Sequence, residues 1–271
     1  MTTAAVFAAL HHNRVPFVLP NAWDVASAVI LNQDGFPAVG TTSLGITAAA
    51  GLADGAGAGQ SLTVALARQL VPRLDVPLSV DLEGGYSDDP AAVADLVVEL
   101  AHIGVAGINL EDGTDQGGLR SFEQHTAIIA AVARATPAVF INARTDTYWH
   151  EIGDDAERPH GTIRRLLAYR DAGAHGVFVP GLTDPGATQA VADAVDLPLN
   201  VLWRPGISPD QLADIGVARI STGSALYRQA LAAARDAATA ARTGATPAGR
   251  SIGYESLQAE LASATRRATL A

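Results

Sequence analysis

Acidic residues and one arginine sit where apolar runs end. Asp81 and Glu83 stand two apart at the close of LSVDLE, Glu111 and Asp112 close GINLED, and Asn142, Arg144 and Asp146 lie in INARTD. On an extended strand, residues i and i+2 share a face. Asp81 and Glu83 are therefore expected to project together, with Glu111 beside them from a neighbouring run. Three carboxylates so placed repel one another unless a cation intervenes. A hard divalent ion, Mg²⁺ or Mn²⁺, binds a few carboxylates together with waters and substrate oxygens. Arg144 offers a planar fork to a carboxylate or phosphoryl group. Any one of these acids alone is as well explained as a loop anchor or helix cap. The trio with Arg144 points to metal-assisted handling of a small carboxylate.

The elements that must position these groups alternate between short β-like and longer helical runs. Strands are expected at Pro16–Pro20, Pro37–Ser43, Pro77–Glu83, Ala106–Glu111, Ala138–Arg144, His175–Pro180, Pro198–Trp203 and Ala218–Thr222. Runs such as AVFIN and HGVFV are apolar throughout, as in parallel strands covered on both faces. Helical spacing is read at Ser61–Leu74, Pro90–Ile103, Ser121–Ala135, Ile163–Ala172 and Pro185–Val195. Asp89-Pro90 and Asp184-Pro185 place a capping residue before a proline in the first turn. These βα units predict a (β/α)₈ barrel over residues 1–242; a doubly wound open sheet is the alternative. A helical extension is expected over 243–271, with a helix near Ile252–Arg267 serving packing or oligomer contact. In such a barrel the strand C-termini form the active site, which is where the acids fall.

Composition removes other chemistries. The 271 residues carry a formal net charge of −10, with no basic patch to meet phosphates, so nucleic acid and acidic membrane surfaces are not expected partners. The chain has no cysteine, which excludes thiolate ligands, disulfides and cysteine nucleophiles. It also has no lysine, since all 18 basic residues are arginine, and this excludes Schiff-base aldolase and covalent pyridoxal chemistry. The start, MTTAAVFAAL, lacks a basic n-region, and no apolar run approaches the roughly 20 residues of a membrane span. A cytoplasmic protein is expected. The seven histidines form no H-x-H or H-E-x-x-H pattern, and His150 and His175 read as structural. Asp54, in GLADGAGAG, belongs to a mobile loop or a catalytic lid. Ser221-Thr222-Gly223-Ser224 suits either helix capping or phosphate binding at a helix N-terminus.

Six segments taken in order resemble the isocitrate lyase/phosphoenolpyruvate mutase superfamily: TTSLGITAAAGLADG (41–55), VDLEGGYSDD (80–89), GINLEDG (107–113), INARTD (141–146), GVFVPGLTD (176–184) and PLNVL (198–202). The likeness runs from LPNAWDVASA (19–28) to RISTGSALYRQAL (219–231). It implies a (β/α)₈ barrel assembled as a homodimer or homotetramer, with the last barrel helix exchanged between subunits. It further implies Mg²⁺ held by Asp81 and, often through water, by Asp54, Glu83 and Glu111. The implied substrate contacts are Trp23, Ser43, Leu44, Gly45, Asp81, Asn142 and Arg144, and the implied catalytic groups are Arg144, Glu111 and Asp54. The shared step makes or breaks a C–C or C–P bond next to an enolate of a 2-oxo acid.

Three positions depart from the pattern. The K-[KR]-C-G-H loop of isocitrate and methylisocitrate lyases is replaced by GTDQGGLRSFEQH (113–125). The second acid of the usual D-x-D pair is Glu83, and the position after strand six, Glu or His in relatives, reads Pro180-Gly181. The expected activity is a Mg²⁺-dependent lyase or decarboxylase acting on a small 2-oxo or 2-hydroxy di- or tricarboxylic acid. The alternatives are a phosphonopyruvate-type mutase or hydrolase and a non-catalytic 2-oxo-acid-binding barrel. Asp112, Asp115, Tyr86 and His125 are the candidate general acids.

Overall fold

The computed structural model describes residues 2–55, 57–114 and 116–270. Nine parallel strands form one sheet: β1 (Phe17–Leu19), β2 (Asn21–Ala22), β3 (Val39–Thr41), β4 (Leu78–Asp81), β5 (Gly107–Glu111), β6 (Phe140–Arg144), β7 (Gly176–Phe178), β8 (Leu199–Leu202) and β9 (Val217–Ser221). The first two are halves of one strand, parted at Pro20, which has no N–H to give a ladder. β1 pairs with β9, and β2 pairs with β3. The sheet therefore closes through the chain itself into the expected (β/α)₈ barrel. The seam is fastened by Asn21, whose Oδ1 accepts from the backbone N–H of both Thr222 and Gly223 at 2.9 Å.

Each of the eight expected strands is present, and the helices Pro90–Ile103 and Pro185–Val195 have the expected bounds. Asp89 and Asp184 cap them, accepting from Ala91 N–H at 3.0 Å and Ala187 N–H at 2.7 Å. The expected helix at Ser61–Leu74 runs from Gln60 to Leu70 and tightens into a 3₁₀ turn, Val71–Arg73, around Pro72. The helix expected from Ile163 begins a turn earlier, at Arg158. Short helices at Thr3–Leu10, Val25–Gln33, Ser43–Ala49 and Pro209–Ala213 escape the periodicity.

The main core lies between strands and helices, built from residues such as Val80, Ile108, Ile141, Val97 and Ile128. A second cluster seals the N-terminal end of the barrel. There Phe7 of the first helix packs with Phe17 and Phe140, and the His11 ring stacks on Phe140 at 4.0 Å. A Cβ on Gly107 would sit 2.5 Å from the Phe7 ring, so this strand start has room for the aromatic plug only as glycine. Midway up the lumen Arg219, fully buried on β9, reaches across to β5 and donates to Asn109 Oδ1 at 2.6 Å, which also accepts from Asn142 Nδ2 at 2.9 Å.

The C-terminal segment is helical, as expected, at Ala225–Thr243 and Tyr254–Leu270. The last helix returns to the barrel, where Arg267 pairs with Asp75 at 3.4 Å and Gln33 donates to Glu260 O at 3.2 Å. Among the described residues no helix is long and apolar enough to cross a membrane.

Candidate active site

The acids gather at the C-terminal mouth of the barrel. Asp81 ends β4, its backbone N–H bonded to Thr41 Oγ1 at 3.0 Å and its Oδ2 accepting from Ser43 N–H at 3.2 Å. Ser43 opens the helix Ser43–Ala49, so the positive end of that helix faces the carboxylate. Oδ1 of Asp81 is buried without a hydrogen-bond partner, as is Oε1 of Glu83. Glu83 reaches the cavity by a route that strand alternation does not predict. β4 ends at Asp81, and Glu83 lies in a turn with φ +50, followed by Gly85 at +87 and Tyr86 at +61. Two non-glycine residues in the left-handed region within four positions mark stored backbone strain, which collects at functional sites.

Across the mouth Arg144 is clamped between two acids. It meets Glu111 Oε2 at 2.5 Å, while its Nε and the second terminal nitrogen donate to Asp146 at 2.6 and 2.9 Å. Burial works against the guanidinium charge, but Glu111 and Asp146 outweigh it, so Arg144 titrates above the usual arginine range and stays charged. Gly113 abuts the Asp146 carboxylate and leaves no space there for a Cβ. Asp146 is held from behind by Asp112, which is fully buried. Asp112 Oδ1 accepts from Asp146 N–H at 2.9 Å, and Oδ2 accepts from Tyr169 at 2.6 Å, Thr145 at 2.8 Å and Arg165 at 3.2 Å.

A cavity of about 770 Å³ opens above these groups, walled by Glu83, Glu111, Arg144 and Asp146 and overhung by Asp54 of the glycine-rich loop. Burial first, then Asp54 and Asp81, pushes Glu83 up to about 7. Asp54 is also raised, by burial and by Asp81, with Ser43 opposing. Glu111 is raised by burial against the pull of Arg144. Beneath them the Arg219 guanidinium is lowered to about 9 by burial, with Asp81 opposing, and its Nε and one terminal nitrogen lack partners.

The structure thus brings Asp54, Glu83, Glu111 and Arg144 to one cavity, with Asp81 and Asn142 buried below it. Ser43, Leu44 and Gly45 form the helix turn beside Asp81. Trp23 packs behind that turn, against Gly45 and the Tyr227 ring at 5.4 Å, outside the cavity wall. Of the candidate general acids, Tyr86 lines the cavity, its hydroxyl 3.1 Å from Thr63 Oγ1. Asp112 and His125 are fully buried behind the wall, and Asp115 lies outside the described residues. Of the 113–125 stretch, Gly113 bridges Leu119 and Arg120 N–H returns to Asp112 O at 2.8 Å, so its two arms pair as a small hairpin. Phe122–His125 form the first turn of the helix Phe122–Ala135. Arg120 pins the hairpin by donating to Gly84 O, to Ser87 O at 3.2 Å and to Asp88 at 3.0 Å.

Sequence reasoning passed over Asp146 as a clamp, although the Arg-x-Asp spacing signals it. It also set aside His150, whose Nε2 stands 4.0 Å from Asp146 Oδ2 at the cavity wall. Trp149 beside it, 57% exposed, had no sequence signal.

Known proteins share this arrangement of elements. A sequence profile of the phosphoenolpyruvate phosphomutase family matches residues 7–242. Rv1998c of Mycobacterium tuberculosis is 45% identical over 252 residues, covering 93% of this chain and 94% of that protein. Oxaloacetate decarboxylase of Pseudomonas aeruginosa is 32% identical over 173 residues, 59% of this chain and 58% of its own length. The solved structure of 2,3-dimethylmalate lyase superposes with a TM-score of 0.83 at 25% identity, covering 100% of this chain and 99% of that one. Oxaloacetate acetylhydrolase superposes at 0.84 and 25% identity, covering 96% and 94%. The chain belongs to the phosphoenolpyruvate phosphomutase family and is an enzyme of the isocitrate lyase/phosphoenolpyruvate mutase superfamily.

Proposed function

We propose that the protein is a Mg²⁺- (or Mn²⁺-) dependent lyase or decarboxylase that breaks a C–C bond of a small 2-oxo or 2-hydroxy carboxylic acid. One observation carries the reading: Asp81 Oδ1 and Glu83 Oε1 are buried acceptors with nothing to accept from. A buried, unpartnered carboxylate oxygen is costly, and a cation between them removes the cost. Among the described residues no three acids or histidines converge closely enough to form a ready cage. That suits an ion held directly by Asp81 and through water by Asp54, Glu83 and Glu111, since Mg²⁺ keeps several of its waters. Such an ion supplies Lewis-acid polarisation of the substrate oxygen.

The chain's own residues do the rest. Arg144, fixed by Glu111 and Asp146, presents its positive charge to the oxygen that gains electron density as the bond breaks. Asn142, held by Asn109, and the amides of Leu44 and Gly45, next to the Ser43 N–H that Asp81 engages, orient the substrate carboxylate. Tyr86 is the cavity group placed to hand over a proton.

The test is to incubate the protein with oxaloacetate, phosphonopyruvate and 2-methylisocitrate, each with Mg²⁺ and with EDTA, against protein-free controls. Pyruvate or succinate release that EDTA abolishes, at whatever rate, supports the reading. Phosphate release from phosphonopyruvate would favour C–P chemistry instead, the second reading, which the matching family profile supports. Equal turnover with and without EDTA would overturn both. We also propose a cytoplasmic homodimer or homotetramer. The helix Ala225–Thr243 buries only Tyr227 and Ala240 and leaves Leu231 54% exposed, as expected of a helix that packs on another copy. Light scattering of the purified protein checks this, and a monomer would count against it.

A further inference from the structure

The inner part of the cavity provides for one carboxylate, and the outer part has a different character. Among the described residues five carboxylates line the cavity as a whole, against two guanidiniums and one imidazole. Asp54, Glu83, Glu111 and Asp146 are those already given to the ion and to Arg144, which leaves Asp88 as the acid of the rim. Each guanidinium is already matched. Arg144 is clamped by Glu111 and Asp146. Arg120 is spent on Gly84 O, Ser87 O and Asp88. His150 faces Asp146 across 4.0 Å. No lysine exists to add another. A second carboxylate on the substrate would give up its water at a rim where, among the described residues, no unengaged guanidinium faces it, a costly arrangement.

What the rim does offer is neutral. Thr114 and Gln116 of the pinned hairpin face the cavity, and the Trp149 indole stands at its edge, a large apolar ring more than half exposed. Covering that ring with an uncharged group removes apolar surface from water, whereas a carboxylate gains nothing from it.

We infer that the site selects a 2-oxo monocarboxylate whose far end is uncharged and lies against Trp149, in place of the di- or tricarboxylate expected from sequence. The inference rests on the 2-oxo-acid reading above. Isothermal titration with Mg²⁺ present tests it, using three probes. Oxalate fills only the inner half. 2-Oxovalerate and 2-oxoglutarate share a five-carbon chain and differ at the far end, methyl against carboxylate. In the unaltered protein 2-oxovalerate should bind at least about tenfold more tightly than 2-oxoglutarate. Trp149→Ala should weaken 2-oxovalerate about tenfold while leaving oxalate within about twofold. Gln116→Arg, at an exposed position, should raise 2-oxoglutarate to the level of 2-oxovalerate. Oxalate binding accompanied by equal or tighter 2-oxoglutarate binding, or by no 2-oxovalerate binding, overturns the selection alone. Failure of oxalate to bind with Mg²⁺ removes the 2-oxo-acid reading and this inference with it.

Discussion

The two ends of the barrel are built from the same strands and hold opposite kinds of interior. At the N-terminal end Phe7 and Phe17 meet their neighbours edge to face, His11 lies flat on Phe140, and a glycine gives up its side chain so that the plug fits. At the C-terminal end buried carboxylate oxygens stand without partners, and Glu83 and Tyr86 hold left-handed backbone. One end lowers the energy of the fold, and the other stores unmet interactions that a ligand can satisfy. The comparison teaches that stability and function are separable along the strand axis, with Arg219 and its asparagines as the layer between.

The largest effect should come from removing Asp81. Asp81→Ala should lower metal-dependent turnover by about 10³-fold or more, while the thermal midpoint without metal stays level or rises because one repelling charge has gone. Normal turnover in that variant would sink the metal assignment. The opposite end should answer in the opposite way. Phe7→Ala should cost about 3–5 kcal/mol in urea unfolding, with unchanged turnover per folded molecule; a change in kcat would mean the two ends are coupled.

Gly113→Ala probes the top more finely. Its new methyl must displace the Asp146 carboxylate and so turn Arg144. A loss of about 10²-fold in kcat/KM is expected alongside only about 1–3 kcal/mol of destabilisation. Equal losses of activity in a variant with Arg144 crystallographically undisturbed would break the link.

The smallest effect is in pH. Burial holds His11 and His125 down at about 3, whereas both recover an ordinary pKa near 6.5 when unfolded. Below pH 6.5 the unfolded chain therefore binds more protons, and stability must fall as pH drops. Between pH 6.5 and 5 the slope should reach at most about 1.4 kcal/mol per pH unit for each histidine. His11→Gln should remove one share of it in urea titrations, and an unchanged slope would show that His11 is not buried neutral.

Much of this was legible beforehand for identifiable reasons. Strands covered on both faces announce themselves as apolar runs, and an acid that ends such a run lands at the barrel mouth. Alternation, followed one residue further, would have separated Glu111, in the cavity, from Asp112, behind it. His125 lies on the same helix face as Ile128, Ile129 and Val132, so its burial was written in the 3.6-residue spacing. The helix Ser43–Ala49 was hidden because Gly45 breaks the propensity, and the glycine is there to let Trp23 approach. Asp146, one half of the clamp on Arg144, was within reach of the Arg-x-Asp spacing, but the Glu111 half and the pinning of Arg120 involve residues distant in sequence, and no local pattern encodes them.

The seam at Pro20 sets a schedule for assembly. Asn21 is made early, yet what it grips, the turn at Thr222 and Gly223, lies 201 and 202 positions later. Until that turn is synthesised, the growing sheet has two open edges and no ring. A contact so distant in the chain forms slowly, and exposed edges invite pairing with other chains. On the ribosome the ring can close only after nearly the whole barrel has been made, and the clasp that Asn21 makes is the last stitch.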